Sequence, residues 1–335
     1  MTIIQKERTE NMSDNIKIGF IGAGGNARGH MQRVNAVDGA NIAAICDLDA
    51  ARAEETAKEY GATPYTDFRD LLDHEPLDAV YISIPPNAHG EVEVLSARKG
   101  LHLFIEKPVA LDRQTIDRVP PEIEKAGIIT CVGYQLRYWP TALAARDFLS
   151  GKTVGMVQAR YWGGTPMNPW WRVMGVSGGQ IVEQATHGVD MVRFLVGDIN
   201  TVYARYARRG MGDLENLDIP DVYSLAVEFA NGAVGTISST CLLNTGGGSG
   251  GSDIDIILRD CLLHWNAAGA QIVPEGTGTL NTCPYGETTI DAVFVDAVKA
   301  GNGSAILSDY FDGVKSALVG IAANESARSG APVRL

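Results

Sequence analysis

The stretch IKIGFIGAGGNA, Ile16 to Ala27, constrains the fold more than any other part of the chain. Ile16–Ile21 is a short apolar run of the kind a buried parallel strand needs. Gly22, Gly24 and Ala27 follow at once with the spacing G-x-G-x-x-A, a variant of the dinucleotide-binding fingerprint. The first glycine permits the tight turn, and the second lets backbone approach a pyrophosphate. The small Ala27 lets helix and strand pack closely. Gly25 and Asn26 sit where the first helical amides would face phosphate oxygens, aided by the helix dipole. The helix reads on to about Val37.

The spacing alone is weak; its context strengthens it. A second strand, Asn41–Cys46, ends in Asp47, about 20 residues beyond the fingerprint, where an acidic residue holds the adenosine ribose hydroxyls. The bland alternative for Asp47 is a turn or N-cap residue before a helix over Ala50–Tyr60. On the ribose reading its carboxylate repels a 2′-phosphate, so NAD is expected in preference to NADP. Apolar strands recur at Ala79–Ile84, Leu101–Ile105 and Ile128–Val132, with a helix to about Lys99 between the first two. Strand–helix alternation with short loops implies an α/β doubly wound parallel sheet. Ligands of such sheets lie beyond the carboxyl ends of the strands. Gly22–Ala27, Asp47, Pro85–His89, Glu106–Pro108 and Gly133–Arg137 all fall at such ends. Pro85, Asn87, His89, Glu106 and Lys107 therefore join the candidate cofactor contacts.

The length, 335 residues, suggests about two domains. The net charge is −12 with no lysine/arginine cluster, which argues against nucleic acid. No apolar run approaches the roughly 20 residues that span a bilayer. Residues 1–14 lack an apolar core and a small-residue cleavage site, so a disordered lead is expected rather than a signal peptide. The five cysteines are widely spaced without C-x-x-C, as suits reduced thiols in the cytoplasm.

The second half reads as strands at Thr153–Trp162, Val202–Arg208, Tyr223–Phe229, Val234–Ser239 and Ile254–Leu258. Asn231-Gly232 is a hairpin signal. Gly246–Gly251 reads as a mobile loop, and a long helix from about Tyr310 to Ser329 precedes a short terminal strand. The expected division is a lead over 1–14, a dinucleotide-binding domain over 15–135, and a substrate-binding and oligomerisation domain over 136–335. Within the latter, VSGGQIVEQATHGVD places Glu183, His187 and Asp190 on one helical stripe. A solvated polar face and a functional cluster are both open at this point.

Taken in order, G-x-G-x-x-A, the carboxylate after the second strand, P-x-x-x-H, E-K-P, G-Y-x-x-R-Y and G-G-x-x-x-[acid]-x-x-x-H-x-x-D resemble the glucose–fructose oxidoreductase / inositol dehydrogenase / rhizopine-catabolism (Gfo/Idh/MocA) family. The resemblance runs from about Ile16 to Leu335. It implies a Rossmann domain followed by an α/β domain with a large, open, mostly antiparallel sheet, whose outer face commonly builds homodimers or homotetramers. It also implies that Lys107 lies at the nicotinamide and that the segment carrying Glu183 and His187 faces it. Lys107 would then stabilise the substrate oxygen, and His187 would act as general base. Glu183, where many members carry aspartate, would orient His187 or Lys107 or grip a substrate hydroxyl. Asp190 is expected to be structural, paired with Arg193 or Arg137.

The remaining candidates keep two readings each. His89 contacts cofactor or substrate, or is a first-turn residue behind an Asn87 cap. Arg137 lines the pocket or pairs with Asp190. Trp170 and Trp171 stack on a sugar ring or clamp their loop, and Arg172 binds substrate or holds that loop. No metal is expected. The leading expectation is an NAD-dependent dehydrogenase acting on a secondary hydroxyl of a sugar, inositol or related polyol. The alternatives are an NAD-using glycoside hydrolase working by transient oxidation, and a non-enzymatic sugar or dinucleotide sensor.

Overall fold

The computed structural model describes residues 15–243, 251–266, 268–273 and 288–335. The expected lead over 1–14, the glycines 246–250, Cys283 and the segment around Tyr285 lie outside the described residues.

The chain opens as β1 (Ile16–Ile21), α1 (Gly25–Asn35), β2 (Ala40–Cys46), α2 (Ala50–Tyr60), β3 (Thr63–Tyr65), α3 (Phe68–His74), β4 (Ala79–Ile82), α4 (Glu91–Arg98), β5 (His102–Ile105), α5 (Arg113–Ala126) and β6 (Thr130–Val132). All six strands are parallel, in the order β3-β2-β1-β4-β5-β6. This is the doubly wound arrangement expected from the alternation. The strand order reverses between β1 and β4, which opens a ligand crevice there. The pattern reading missed β3, because Thr-Pro-Tyr is a three-residue edge strand without an apolar run. It also began the helix after β4 too early. Pro86–Ala88 is a 3₁₀ turn, and Gly90, not Asn87, is the N-cap of α4.

The second half continues as α6 (Pro140–Leu149), β7 (Met156–Trp162), α7 (Met174–Ser177), α8 (Gln180–Glu183), α9 (Thr186–Val196), β8 (Ile199–Ala207), β9 (Val222–Phe229), β10 (Val234–Thr240), β11 (Ser252–Ile257), β12 (Leu262–Asn266), β13 (Gly269–Val273), α10 (Ile290–Ala300), α11 (Tyr310–Ser329) and β14 (Val333–Arg334). Its eight strands run β13-β12-β11-β7-β10-β9-β8-β14 and are antiparallel except for the β7–β10 pair. On β9 the period of two is plain: Tyr223, Leu225, Val227 and Phe229 point inward, and Ser224, Ala226 and Glu228 point to solvent. The Asn231-Gly232 hairpin joins β9 to β10, with Gly232 at a φ of 89°.

Two helices from the far end of the chain return to the first sheet. Phe20, Tyr81 and Phe104 stack across β1, β4 and β5 with centroids 4.6 and 4.4 Å apart. Phe294 of α10 meets Tyr81 and Phe104 edge-on at 5.5 and 5.7 Å. Burying one such side chain contributes roughly 1.5–3 kcal/mol, so this contact fixes α10 on the nucleotide-binding sheet. Tyr310, Val314, Ala317 and Ile321 of α11 enter the core on the sheet's other face.

Candidate active site

The fingerprint turn leaves β1 as expected. Gly22 has a φ of +100°, and a Cβ there would lie 2.1 Å from the Ser83 carbonyl oxygen, so only glycine fits. At Gly24 and Gly25 an added Cβ meets nothing within 4 Å. Gly24 is also the N-cap of α1 and offers no side-chain capping bond, so the first amides of α1 border a bare cradle. That cradle fits a dinucleotide pyrophosphate. Asn26 is exposed beside it, and Ala27 is fully buried between helix and sheet. Asp47 Oδ2 accepts a hydrogen bond of 2.8 Å from the Ala23 amide, and Oδ1 accepts one of 2.9 Å from Asp49 N. Asp49, not Asp47, caps α2. The Asp47 carboxylate is therefore held against the fingerprint turn.

Pro85 and Asn87 are exposed at the end of β4. His89 turns inward instead. It is buried, its Nδ1 lies 2.5 Å from Glu93 Oε1, and its Nε2 is buried without a hydrogen-bond partner. Glu93 also accepts from the Gly90 amide, so His89 lies one residue before the N-cap of α4, outside its first turn, and is tied to that helix through Glu93.

At the end of β5 the chain places Glu106, Lys107 and Pro108. Lys107 Nζ donates to both Oε1 and the main-chain oxygen of Glu183, each at 3.0 Å. Burial alone would lower the Lys107 pKa, but the charges of Glu183 and Glu106 raise it, so the side chain stays an ammonium. Glu183 Oε2 is buried and unpartnered. His187 is half-buried, with its Nδ1 shielded from water and unpartnered. Its ring meets Tyr134 edge-on at 6.2 Å. Burial, with Lys107 nearby, pushes the His187 pKa down to about 3, so the imidazole is neutral at pH 7.

The expected single helical stripe is two short helices. Gly178 and Gly179 both have positive φ and lead the chain into α8. Tyr223 Oη, Thr240 O and Ser239 Oγ all bond to Gln180, which pins that end to β9 and β10. Ala185 N bonds back to Gln180 O, five residues earlier, and loosens the turn between α8 and α9. The three polar residues consequently take three different settings: Glu183 on Lys107, His187 without a partner at Nδ1, and Asp190 on arginines.

Arg137 pairs with Asp190. It is buried, with bonds of 2.7 and 2.6 Å from Nε and Nη2 to the two carboxylate oxygens of Asp190. Its Nη1 donates to Leu307 O at 2.6 Å. Nη1 also pairs with Asp312 of α11 at 2.6 Å, so the guanidinium ties α9 to α11 and the chain before it, and Ser316 Oγ adds a 2.7 Å bond to Asp190. In the aromatic loop, Trp170 and Trp171 pack edge-to-face at 5.5 Å, and both are half-buried. Arg172 Nε donates to Pro166 O at 2.8 Å, which braces that loop. Asp218 braces it from outside through Met174 N and the Arg172 carbonyl.

Three nearby residues escaped the sequence reading. Tyr161, at the inward end of β7, sits close enough to Glu183 and Lys107 to feel both charges, and burial raises its pKa. Its signal was its inward register at a strand end. His30 and Asp291 lie 261 residues apart and pair at 2.6 Å; no local pattern marks that contact.

The model of the oxidoreductase family with an NAD-binding Rossmann fold, GFO_IDH_MocA, matches residues 16–134. The GFO/IDH/MocA C-terminal domain model matches residues 151–256. The chain belongs to the GFO/IDH/MocA family. Among this family's curated members it is 26% identical to the myo-inositol 2-dehydrogenase of Thermotoga maritima over 228 residues, covering 67% of this chain and 68% of that one. It is 25% identical to the NAD-dependent scyllo-inositol 2-dehydrogenase of Bacillus subtilis over 317 residues, covering 90% and 91%. A solved levoglucosan dehydrogenase in complex with NADH superposes with a TM-score of 0.83 at 21% identity, covering 96% and 99% of the two chains. This GFO/IDH/MocA chain therefore has the fold of an NAD-linked oxidoreductase, with Lys107 after β5 meeting Glu183 of α8 and lying near His187 of α9.

Proposed function

We propose that the chain is an NAD-dependent dehydrogenase acting on a secondary hydroxyl of a sugar, inositol or related polyol. The observation that carries this reading is the half-buried Lys107 ammonium, 3.0 Å from Glu183 and close to a neutral His187, at the carboxyl end of a Rossmann strand. The fingerprint amides and Asp47 would hold the dinucleotide, and Asp47 favours NAD over NADP by repelling a 2′-phosphate. When bound, NAD accepts the hydride from the carbinol carbon.

Lys107 donates a hydrogen bond to the substrate oxygen and offsets the negative charge that develops there. His187 takes the hydroxyl proton. A base so weakly basic in the empty site takes that proton as charge develops on the oxygen, not before. Glu183 holds the ammonium in place and leaves Oε2 to accept from a neighbouring substrate hydroxyl. Trp171 and Arg172 border the substrate on the loop before α7. Named relatives act on myo-inositol and scyllo-inositol, which supports a polyhydroxylated substrate. The polar outer face of the eight-stranded sheet, with Gln158, Arg160, Thr236 and Glu228 exposed, suits packing against a second copy in a cytoplasmic homo-oligomer.

The test follows NADH absorbance with NAD supplied over a panel of inositols, aldoses, sugar acids and aminosugars, with Lys107→Ala beside the wild type. Substrate-dependent NADH formation in the wild type alone is the expected result. Turnover that survives Lys107→Ala overturns the role given to Lys107.

A further inference from the structure

A second buried charge cluster lies directly behind Lys107. His30 of α1 is 1% exposed. Its Nε2 is 2.7 Å from Glu106 Oε1 and its Nδ1 is 2.6 Å from Asp291 Oδ1. Glu106 follows β5, one residue before Lys107, and Asp291 lies in the first turn of α10. Gly133, after β6, makes room for the arrangement: a Cβ there would lie 2.5 Å from Glu106 Oε1. The other carboxylate oxygen of Glu106 accepts from the Lys107 amide at 3.2 Å.

The bonding pattern dictates the charge of the ring. Each ring nitrogen faces a carboxylate, and a neutral imidazole donates from only one nitrogen. Arg33 Nη2 also lies 3.0 Å from Nδ1, but a lone pair on Nδ1 would face the Asp291 carboxylate at the shorter distance of 2.6 Å, so the two carboxylate contacts are satisfied together only by the imidazolium. Arg33, on the same helix, donates from Nε to the other oxygen of Asp291 at 2.5 Å. The remaining titratable neighbours are Tyr81 of β4 and Cys131 of β6, both held protonated by burial. Burial works against a charged His30, but the bonds and charges of Asp291 and Glu106 prevail and carry its pKa up to about 9. Burial would likewise raise Glu106, yet the bond from His30 and the charges of His30 and Lys107 hold it down at about 2.

We propose that His30 is a positioning residue: clamped as a cation between Asp291 and Glu106, it fixes a buried carboxylate behind Lys107 and so sets the electrostatic field at Lys107 and His187. The proposal rests on the roles given to those two residues above. Glu106 is the carboxylate that favours both the Lys107 ammonium and proton uptake by His187. Without the His30 cation it becomes a buried charge lacking its main partner, which must move, take up water or bind a proton. The cluster thereby ties the helix beneath the dinucleotide phosphates to the reacting end of the site.

Two measurements test this on the full chain. The first is an NMR pH titration of the six histidines, labelled at Cε1, without cofactor. One resonance is expected to remain imidazolium through neutral pH, to vanish in His30→Gln, and to titrate at lower pH in Asp291→Asn. A His30 ring that is neutral at about pH 7.5 overturns the proposal. The second is steady-state kinetics of both variants. A fall in kcat of at least about tenfold is expected, with KM for NAD within about threefold of wild type. The alkaline limb of the kcat profile should move to lower pH in Asp291→Asn. If the variants lose only thermal stability, while kcat and the limb stay put, the cluster is structural and the proposal fails. Should His30→Gln not fold, Asp291→Asn decides alone. Turnover surviving Lys107→Ala would sink the functional reading but leave the titration result standing, so the two failures are distinguishable.

Discussion

Lys107 and Glu183, 76 residues apart in the chain, meet at 3.0 Å through both the side chain and the main-chain oxygen of the glutamate. The main-chain bond places the ammonium, and the carboxylate sets its direction. Glu183→Asp keeps the first bond but withdraws the carboxylate by one methylene. A misplacement of about 1 Å costs about a hundredfold in rate, so kcat should fall by about that order while the Kd for NAD stays near wild type. An equal loss in both would show that Glu183 acts on the cofactor instead.

His187 gives a pH prediction whose sign follows from its depressed pKa. In the unfolded chain it titrates near 6.5, and in the fold at about 3. Between those values the unfolded state binds the proton and the folded state does not, so His187 costs stability as pH falls from 6.5 toward 3 and nothing above 6.5. Urea unfolding of wild type and His187→Asn at pH 7.5 and pH 5 isolates this contribution. The wild type should lose more stability on acidification than the variant, and parallel losses would contradict the neutral imidazole.

Asp190 and Arg137 form a buried pair that the proposed chemistry does not use. Removing one member leaves an uncompensated buried charge, which costs roughly 3–5 kcal/mol. Asp190→Ala should lower Tm markedly, while the kcat/KM of the molecules that remain folded stays within about threefold of wild type. A stable variant with lost turnover would return Arg137 to the substrate pocket.

Gly22 and Gly24 should respond differently to substitution. Gly22→Ala forces a Cβ against the Ser83 carbonyl at positive φ and should destabilise the free protein. At Gly24 the φ is −69° and the added Cβ meets nothing. Gly24→Val should therefore leave the Tm of the free protein nearly unchanged, yet weaken NAD binding by at least about tenfold. Calorimetric titration with NAD reads this directly; unaltered affinity would mean that the cradle is not where the pyrophosphate lies.

Local pattern was enough for the architecture. Apolar runs of strand length, helices between them and polar motifs after them specify a parallel sheet and its ligand edge, because each signal lies within a few residues of the structure it describes. The helices over Ala50–Tyr60 and Tyr310–Ser329 match their sequence readings end to end. The residues that meet at the candidate site were legible too, since Lys107, Glu183 and His187 stand in motifs. The pairings among them were not. Helical spacing put Glu183, His187 and Asp190 on one stripe, but a loosened turn at Gln184–Ala185 and long-range partners sent each to a different task. The return of α10 to the first sheet, and with it the Asp291–His30–Glu106 clamp, joins residues whose separation no periodicity spans. Periodicity reports which way a side chain faces on its own element; only packing of the elements decides which distant charge it faces there.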